Sequence, residues 1–240
     1  MNKQPNHNWN PHLLSGDKLR EWAHATAETT TVKRLLTKRT ADAVIKLVNE
    51  LHDGAQHAMD AGPNNAERAC HKGCPGCCHS MISVTAVEVC AIADWIREKM
   101  SSEQVDGIRK RADENANSSS DLNVLKFSEA MLWCPLLDSE KSCSIYPVRP
   151  IACQAWNSLS LDACQDCYLD NHAEKKIPLD SHAYEVGQGV RSGFKRGLEA
   201  LGLDSKSYEL NSALVVAIDN PDAAARWAQG EEVFEDCHVV

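Results

Sequence analysis

The stretch Cys70-His71-Lys72-Gly73-Cys74-Pro75-Gly76-Cys77-Cys78 places four cysteines within nine residues. The glycines and the proline between the cysteines favour a tight loop over the interior of a helix or strand. Thiolates two to three residues apart on such a loop can converge on one ion, and structural zinc sites and iron–sulfur sites both use this spacing. The stretch therefore predicts a metal-binding loop around which the rest of the chain is arranged.

A second group of five cysteines follows within a window of 34 residues. Soft thiolate ligands select zinc, iron–sulfur clusters or copper(I) over magnesium and calcium. Cys90 lies within a helical pattern and Cys237 near the end of the chain, so we interpret both as buried small side chains. The predicted ligands are the remaining nine: Cys70, Cys74, Cys77, Cys78, Cys134, Cys143, Cys153, Cys164 and Cys167.

The adjacent pair Cys77 and Cys78 bears on the number of metals. Neighbouring side chains point in different directions, so the two thiols do not fit as simple co-ligands of one zinc. Either a second metal is present, or one of the pair lies beside the ligands or is reactive. Nine cysteines also exceed the eight ligands of two all-cysteine tetrahedral sites by one. This count favours more than one metal or a polynuclear cluster. The flanking His71 and His79 are expected to be neighbours of the ligands.

Arg149 and Pro150 stand shortly before Cys153. Proline is well placed at the start of a helix, which predicts a short helix running through Trp156. The helix dipole would then favour the thiolate form of Cys153. Arg149 would offset the negative charge of a polythiolate site, although an ordinary surface arginine is the alternative.

Composition and charge restrict the partners and the compartment. The chain has 240 residues, 11 cysteines and a formal net charge of −9, and an acidic surface argues against nucleic acid as the main partner. The N-terminus lacks the apolar region of a secretory signal, and the longest apolar run, residues 213–218, is too short to span a membrane. We expect a cytoplasmic protein whose partner is a metal ion. A protein partner cannot be named from the sequence.

Helical patterns surround both cysteine groups. Apolar residues at three-and-four spacing predict helices from about residue 40 to Gly62 and from about residue 180 to 201. Thr85 with Glu88 is a capping-box signature that predicts the start of another helix. A further helix is expected over residues 205–219, and a short final one from Asn220-Pro221 to Gly230. Residues 115–121 read as a linker, and residues 133–178 as irregular structure.

A row of three glycines, Gly189, Gly193 and Gly197, lies beside the apolar stripe of the helix near residues 180–201. Each glycine costs about 1 kcal/mol relative to alanine in a helix. Such a row predicts close packing against another helix. A docking face for a partner or ligand is the alternative.

These features predict a mainly α fold, in which an irregular, metal-stapled, cysteine-rich core is flanked by N- and C-terminal helices. Residues 1–63 would form an N-terminal helical extension. Residues 64–180 would form the cysteine-cluster metal-binding domain, and residues 181–240 would be C-terminal helices packed on that same domain. Metal crosslinks would hold the middle region, which has too little periodicity to be held by packing alone.

The motifs resemble the cysteine-cluster family of the YkgJ type, which is named for a Cys-x2-Cys-x2-Cys-Cys motif (CxxCxxCC). The matching parts are Cys70, Cys74, Cys77 and Cys78, then Cys134-Pro-Leu-Leu, then Cys143-Ser-Ile-Tyr-Pro-Val-Arg-Pro-Ile-Ala-Cys153. The resemblance covers about residues 68–156 and implies chelation of zinc or iron by the matched cysteines. The first gap here is three residues instead of two, and Gln154 stands where arginine often follows the last cysteine. Cys164 and Cys167 lie outside the matched pattern.

Three functions are compatible with these observations. The first is a zinc- or iron-chelating protein that stores, delivers or is supported by its metal. The second is an iron–sulfur protein, for example with a [4Fe–4S] cluster, that has a redox or methyl-transfer-related enzymatic role. The flagellin lysine N-methylase carries a similar cluster, which supports methyl transfer by analogy only. The third is a structural zinc module that organises an interaction surface.

One specific enzyme class is disfavoured. The spacing Cys70-x3-Cys74-x2-Cys77 matches the three-cysteine loop of radical SAM enzymes. However, the sequence before the loop does not predict a strand, and the repeated strand–helix pattern of their barrel is missing. The sequence does not decide whether the protein is an enzyme.

Overall fold

The computed structural model describes residues 14–169 and 176–240. In this part of the chain the predicted mainly α fold is confirmed, with the cysteine-rich region in the middle and helices on either side. The described helices are α1 (Gly16–Thr37), α2 (Ala41–Asp60), α3 (Ala86–Lys99), α4 (Ser102–Ser119), α5 (Val124–Glu129), α6 (Ile151–Ala155), α7 (Leu161–Leu169), α8 (Ser181–Ala200), α9 (Leu210–Asp219) and α10 (Ala223–Ala228). The described strands are β1 (Ser83–Thr85) and β2 (Ser207–Glu209).

Helices α1 and α8 lie against each other along the glycine row. A Cβ atom on Gly193 would lie 2.0 Å from the carbonyl oxygen of His24, and one on Gly189 would lie 2.4 Å from that of Arg20. Only glycine allows the two backbones to approach this closely. The predicted close helix packing is therefore confirmed, and the helix packed against the row is α1.

The starts of α2 and α3 follow the caps in the sequence. The Thr40 side chain accepts a hydrogen bond from the backbone N–H of Ala43 at the start of α2. At the start of α3, the Thr85 and Glu88 side chains complete the predicted capping box. The predicted apolar face of α2 is buried, at Val44, Leu47, Val48, Leu51, Ala55, Ala58 and Met59.

The structure differs from the prediction at residues 205–219, where a strand precedes the helix. Ser207–Glu209 form β2, which pairs antiparallel with β1 and places Tyr208 opposite Val84. The Glu209 carboxylate accepts hydrogen bonds from the backbone N–H groups of Asn211 and Ser212, so α9 begins only at Leu210. The short two-stranded sheet joins the segment after the first cysteine loop to the C-terminal helices.

The predicted linker at residues 115–121 is wrong for most of its length, because α4 continues to Ser119. The Asn115 side chain donates to the carbonyl oxygen of Trp133 and to Oδ1 of Asn211, and the Ser119 hydroxyl donates to the Asn115 carbonyl oxygen. These polar side chains make their hydrogen bonds without interrupting the helix. A polar composition alone therefore did not distinguish this part of α4 from a linker.

In the region predicted to be irregular, residues 133–178, the described part contains two short α-helices between its loops. Helix α6 confirms the short helix expected after Arg149, with Pro150 as its N-cap residue. Helix α7 was not predicted, and it carries Cys164 and Cys167. The remaining described parts of this region are turns, loops and a three-residue 3-10 helix at Tyr146–Val148.

Candidate metal centre

The first cysteine loop is a series of tight turns. Backbone N–H groups of Cys74 and Cys78 donate to the carbonyl oxygens of His71 and Pro75, at 3.1 and 2.8 Å. Gly73 has φ of 92°, in a region that residues with a side chain rarely adopt. All four cysteines of this loop line the cavity described below.

Backbone hydrogen bonds connect this loop to the second cysteine group. The N–H of Cys134 donates to the carbonyl oxygen of Cys78 at 2.6 Å, and the N–H of Ala69 donates to the carbonyl oxygen of Ser158 at 2.8 Å. In return, the N–H of Ser158 donates to Sγ of Cys70 at 3.2 Å. The two distant stretches of chain are therefore adjacent in the fold.

A cavity of about 560 Å³ lies where the two stretches meet. Arg149 and apolar side chains such as Ile82, Leu136 and Ile145 form part of its wall. Seven of the nine predicted ligands line the cavity: Cys70, Cys74, Cys77, Cys78, Cys134, Cys143 and Cys153. The fold thus brings thiols of both groups to one space.

The other four cysteines lie apart from the cavity wall. Cys164 and Cys167 lie on α7 and are not among the described residues that line the cavity. Cys90 and Cys237 are buried in the hydrophobic core, as predicted for small apolar side chains. Burial raises the pKa of Cys90 to about 12 and that of Cys237 to about 11. Both thiols are therefore inert at neutral pH.

The thiols of the cavity influence one another. Burial raises the pKa of Cys134 and of Cys153, and the nearby Cys77 and Cys143 raise both pKa values further. The pKa of Cys77 is raised well above its usual value by a hydrogen bond with Cys78 and by burial. Several neighbouring thiolates in this space therefore need positive charge, which a metal ion supplies.

Backbone N–H groups and Arg149 act against burial and favour the negatively charged thiolate form of these cysteines. Backbone N–H groups of Leu136 and Ile145 donate to the sulfur atoms of Cys134 and Cys143, and each hydrogen bond lowers the pKa of its thiol against the larger effect of burial. The positive charge of Arg149 acts in the same direction on the pKa of Cys143. Hydrogen bonds to a charged acceptor are stronger than those to a neutral one. These N–H groups are thus suited to metal thiolates.

The donor set fits a soft metal ion, because seven thiols line one cavity. In residues 14–169 and 176–240, no group of three or more His, Cys, Asp or Glu side chains has an arrangement that could hold an ion. Each thiol can move by rotation about its one side-chain torsion, χ1. Thiols that line a common wall can therefore turn inward when they lose their protons and bind a cation.

Sequence reasoning missed a buried pair behind the cavity. The ring Nε2 of His52 lies 3.4 Å from Oε1 of Glu88, and both side chains are buried. Glu88 also accepts hydrogen bonds from the backbone N–H groups of Thr85 and of Ile151, where α6 begins. The capping-box signature identified Glu88 as a cap, but no pattern in the sequence connects it to His52 or to α6.

Comparison with known families supports the predicted chemistry. Residues 69–177 match the family model CxxCxxCC, whose description is "Putative zinc- or iron-chelating domain". This match confirms the resemblance stated from the cysteine motifs. Comparisons with the curated proteins and with the solved structures gave no significant match.

Across the described residues, none of the helices combines the length and the apolar character needed to cross a bilayer.

Proposed function

We propose that the domain matched at residues 69–177, a zinc- or iron-chelating domain of the CxxCxxCC family, holds its metal with thiolates from both cysteine groups. The observation that carries this proposal is the single cavity lined by seven cysteines, four from the first loop and three from the second group. Soft thiolates in this number favour zinc or iron over hard cations such as magnesium.

Four thiols are the strongest candidates for one tetrahedral site: Cys77, Cys134, Cys143 and Cys153. The charge of Cys77 affects the pKa of each of the other three, and Cys134 and Cys153 are both affected by Cys143. The Coulomb interaction falls with distance, so these effects favour proximity of the four thiols, and Cys77 also acts on the pKa of Cys70 and shares a hydrogen bond with Cys78. Four thiolates complete the coordination of a structural zinc.

The remaining cysteines of the cavity support more than one metal. Cys70, Cys74 and Cys78 line the same space without belonging to that set of four. Cys164 lies near enough for Cys70 and Cys74 to raise its pKa, although burial is the larger cause. We therefore retain Cys164, with its α7 neighbour Cys167, as further ligands of a second ion or of a polynuclear cluster.

Arg149 is suited to balance the charge of such a centre. It lines the cavity, and its guanidinium carbon lies 4.1 Å from the centre of the Tyr146 ring, which fixes its position. Its positive charge lowers the pKa of Cys70, Cys77, Cys143 and Cys153, in opposition to burial. An arginine placed in this way stabilises thiolates without acting as a ligand.

A second candidate function is an iron–sulfur protein with a redox or methyl-transfer-related role. The volume of the cavity, about 560 Å³, favours it, because this space is larger than one ion needs and falls in the range of small-molecule sites. The apolar part of the wall would exclude water from a cluster. In either case, so many free thiols require a reducing compartment such as the cytoplasm.

Anaerobic purification separates these possibilities. We expect at least one zinc or iron ion per chain. A colourless zinc protein without acid-labile sulfide would support chelation alone. A brown protein with equal amounts of iron and sulfide would support the cluster. A protein that has neither metal, and that takes up neither when zinc or iron is added to the reduced chain, would contradict the proposal.

A further inference from the structure

A second cavity of about 430 Å³ adjoins the cysteine cavity. The two cavities have four lining residues in common: Cys70, Tyr146, Arg149 and Asn157. The side chains that line only the second cavity include His52, Asp53, Gln56, Asp60, Arg68 and Gln154, all of which are polar or charged. The second space, here called the polar cavity, is therefore separated from the metal centre by one layer of side chains.

One buried polar atom in the wall of the polar cavity, Oε1 of Gln154, is without a hydrogen-bond partner among the described residues. Gln154 is 3% exposed. Nε2 of His52, which also lines this cavity, faces Oε1 of Glu88 at 3.4 Å. A buried polar atom that lacks a partner costs roughly 1–3 kcal/mol, so in a native protein such an atom is paired with an ordered water or a ligand.

The two arginines of the polar cavity differ in the number of hydrogen bonds that they make. Arg68 donates to Asp180, Asp60 and the carbonyl oxygen of Met59, so its guanidinium is fully engaged. The Arg149 guanidinium makes one long hydrogen bond, 3.4 Å from the Gln56 side-chain oxygen. This leaves most of the five N–H donors of Arg149 free to bind an anion.

A negative group balances Arg149 at the exposed side of the polar cavity. Asp53 lines the cavity and is exposed, and within the described ranges its carboxylate has no ion-pair or hydrogen-bond partner. The polar cavity thus offers the Arg149 guanidinium, whose charge also acts on the neighbouring thiols, the Asp53 carboxylate, and one buried acceptor, Oε1 of Gln154.

We propose that the polar cavity binds a small zwitterion that has a carboxylate and a protonated amine, the chemistry of a free amino acid. The carboxylate pairs with Arg149, and the amine donates to Oε1 of Gln154 and toward Asp53. A simple anion would leave the two acceptors unmatched, and a simple cation would face Arg149. Both alternatives therefore bind more weakly than the zwitterion.

This inference goes beyond metal chelation and holds whether the metal is zinc or iron. It places an organic ligand next to Cys70 and Arg149, which also line the metal cavity. The ligand carboxylate on Arg149 would lie at the boundary between the two spaces.

The test is calorimetric titration of the purified protein, with its metal content measured on the same sample, against each standard amino acid at millimolar concentration. We expect at least one to bind. Its analogues that lack either the carboxylate or the amine should bind at least about tenfold more weakly, since each loses a charged contact. If none of the amino acids binds, or if either analogue binds as well, the inference is wrong.

Variants then test the location. Asp53→Asn should weaken binding about tenfold and Gln154→Leu by a similar factor, because each removes one acceptor for the amine. Asp42→Asn on the same helix, paired with Lys46 and outside the polar cavity, is the matched control and should bind as the wild type does. Unchanged affinity in both Asp53→Asn and Gln154→Leu would overturn the proposed site. Metal content reports on chelation separately.

Discussion

Glu88 shows how one side chain can connect several elements. It caps α3, lies beside His52 of α2, and accepts the backbone N–H of Ile151 at the start of α6. Burial alone would raise the pKa of this carboxyl group. The hydrogen bond and the charge of His52 outweigh burial, with help from the N–H of Thr85, so the pKa of Glu88 is lowered. The folded protein therefore favours the ionised carboxylate.

This direction predicts an acid-sensitive contribution to stability. Because the folded pKa of Glu88 lies below its unfolded value, the contribution is complete above the unfolded pKa and is lost as the pH falls through the folded pKa. We expect Glu88→Gln to lower the free energy of unfolding at pH 7 by about 1–3 kcal/mol. The difference from wild type should shrink toward pH 3. Urea unfolding at both pH values measures this.

The control for this experiment is Glu98→Gln, which alters an exposed carboxylate of the same helix. It should leave the free energy of unfolding within about 0.5 kcal/mol of wild type. Equal stability of Glu88→Gln and wild type at pH 7 would show that the buried carboxylate contributes nothing.

Individual residues also mark the limit of what could be predicted. The cysteines and Arg149 could be proposed from the sequence because their spacing is local and their chemistry is distinctive. His52, Gln154 and Asp53 gave no signal, because the polar cavity arises only when α2 and α6 meet. Such a meeting is a property of tertiary structure, and no short motif encodes it.

Packing between α1 and α8 depends on the absence of side chains at the glycine row. Gly193→Ala would place a methyl group 2.0 Å from the backbone oxygen of His24, which cannot move without shifting α1. We expect a loss of about 1–3 kcal/mol in the free energy of unfolding from this overpacking. Chemical denaturation followed by circular dichroism measures it.

Gly54→Ala is the matched control, because Gly54 lies in α2 with no atom near its Cβ position. Alanine has the higher helix propensity, so this variant should gain up to about 1 kcal/mol. If Gly193→Ala were also stabilising, the helices would not be as close as described.

Among the elements, those with strong local signals were predicted well. The apolar stripe of α2 and the capping box of α3 depend on residues three or four positions apart, and both are confirmed. The three-residue strands β1 and β2 were missed because they are too short to show alternation. Their pairing joins residues near 84 and 208, and no local pattern reports a contact at that sequence separation.

For the molecule as a whole, metal is expected to hold the loops between helical parts. The proposed division assigns residues 1–63 and 181–240 to the flanking helices and residues 64–180 to the metal-binding domain. Helices α1 and α2 both pack on α8, and their buried side chains belong to one hydrophobic core that also includes α3 and α6. The cysteine loops depend more on crosslinks, as few of their side chains are fully buried.

Removal of the metal should therefore destabilise the cysteine loops more than the flanking helices. A strong chelator should lower Tm, because an ion at a thousandfold excess over its Kd contributes about 4 kcal/mol. Limited proteolysis with mass spectrometry should then give first cuts at residues 68–82 or 134–160. First cuts within α1 or α8 would contradict this view of what the metal holds together.

The central claim is that thiolates from two distant stretches share one inorganic centre. The most direct measurement is the metal content of Cys77→Ser, Cys153→Ser and the double variant, with Cys90→Ser as the control that keeps its full load. A shared centre predicts that each single variant loses metal and that the double variant loses no more than the more affected single one. Losses that add in the double variant, or full metal content in both single variants, would contradict it.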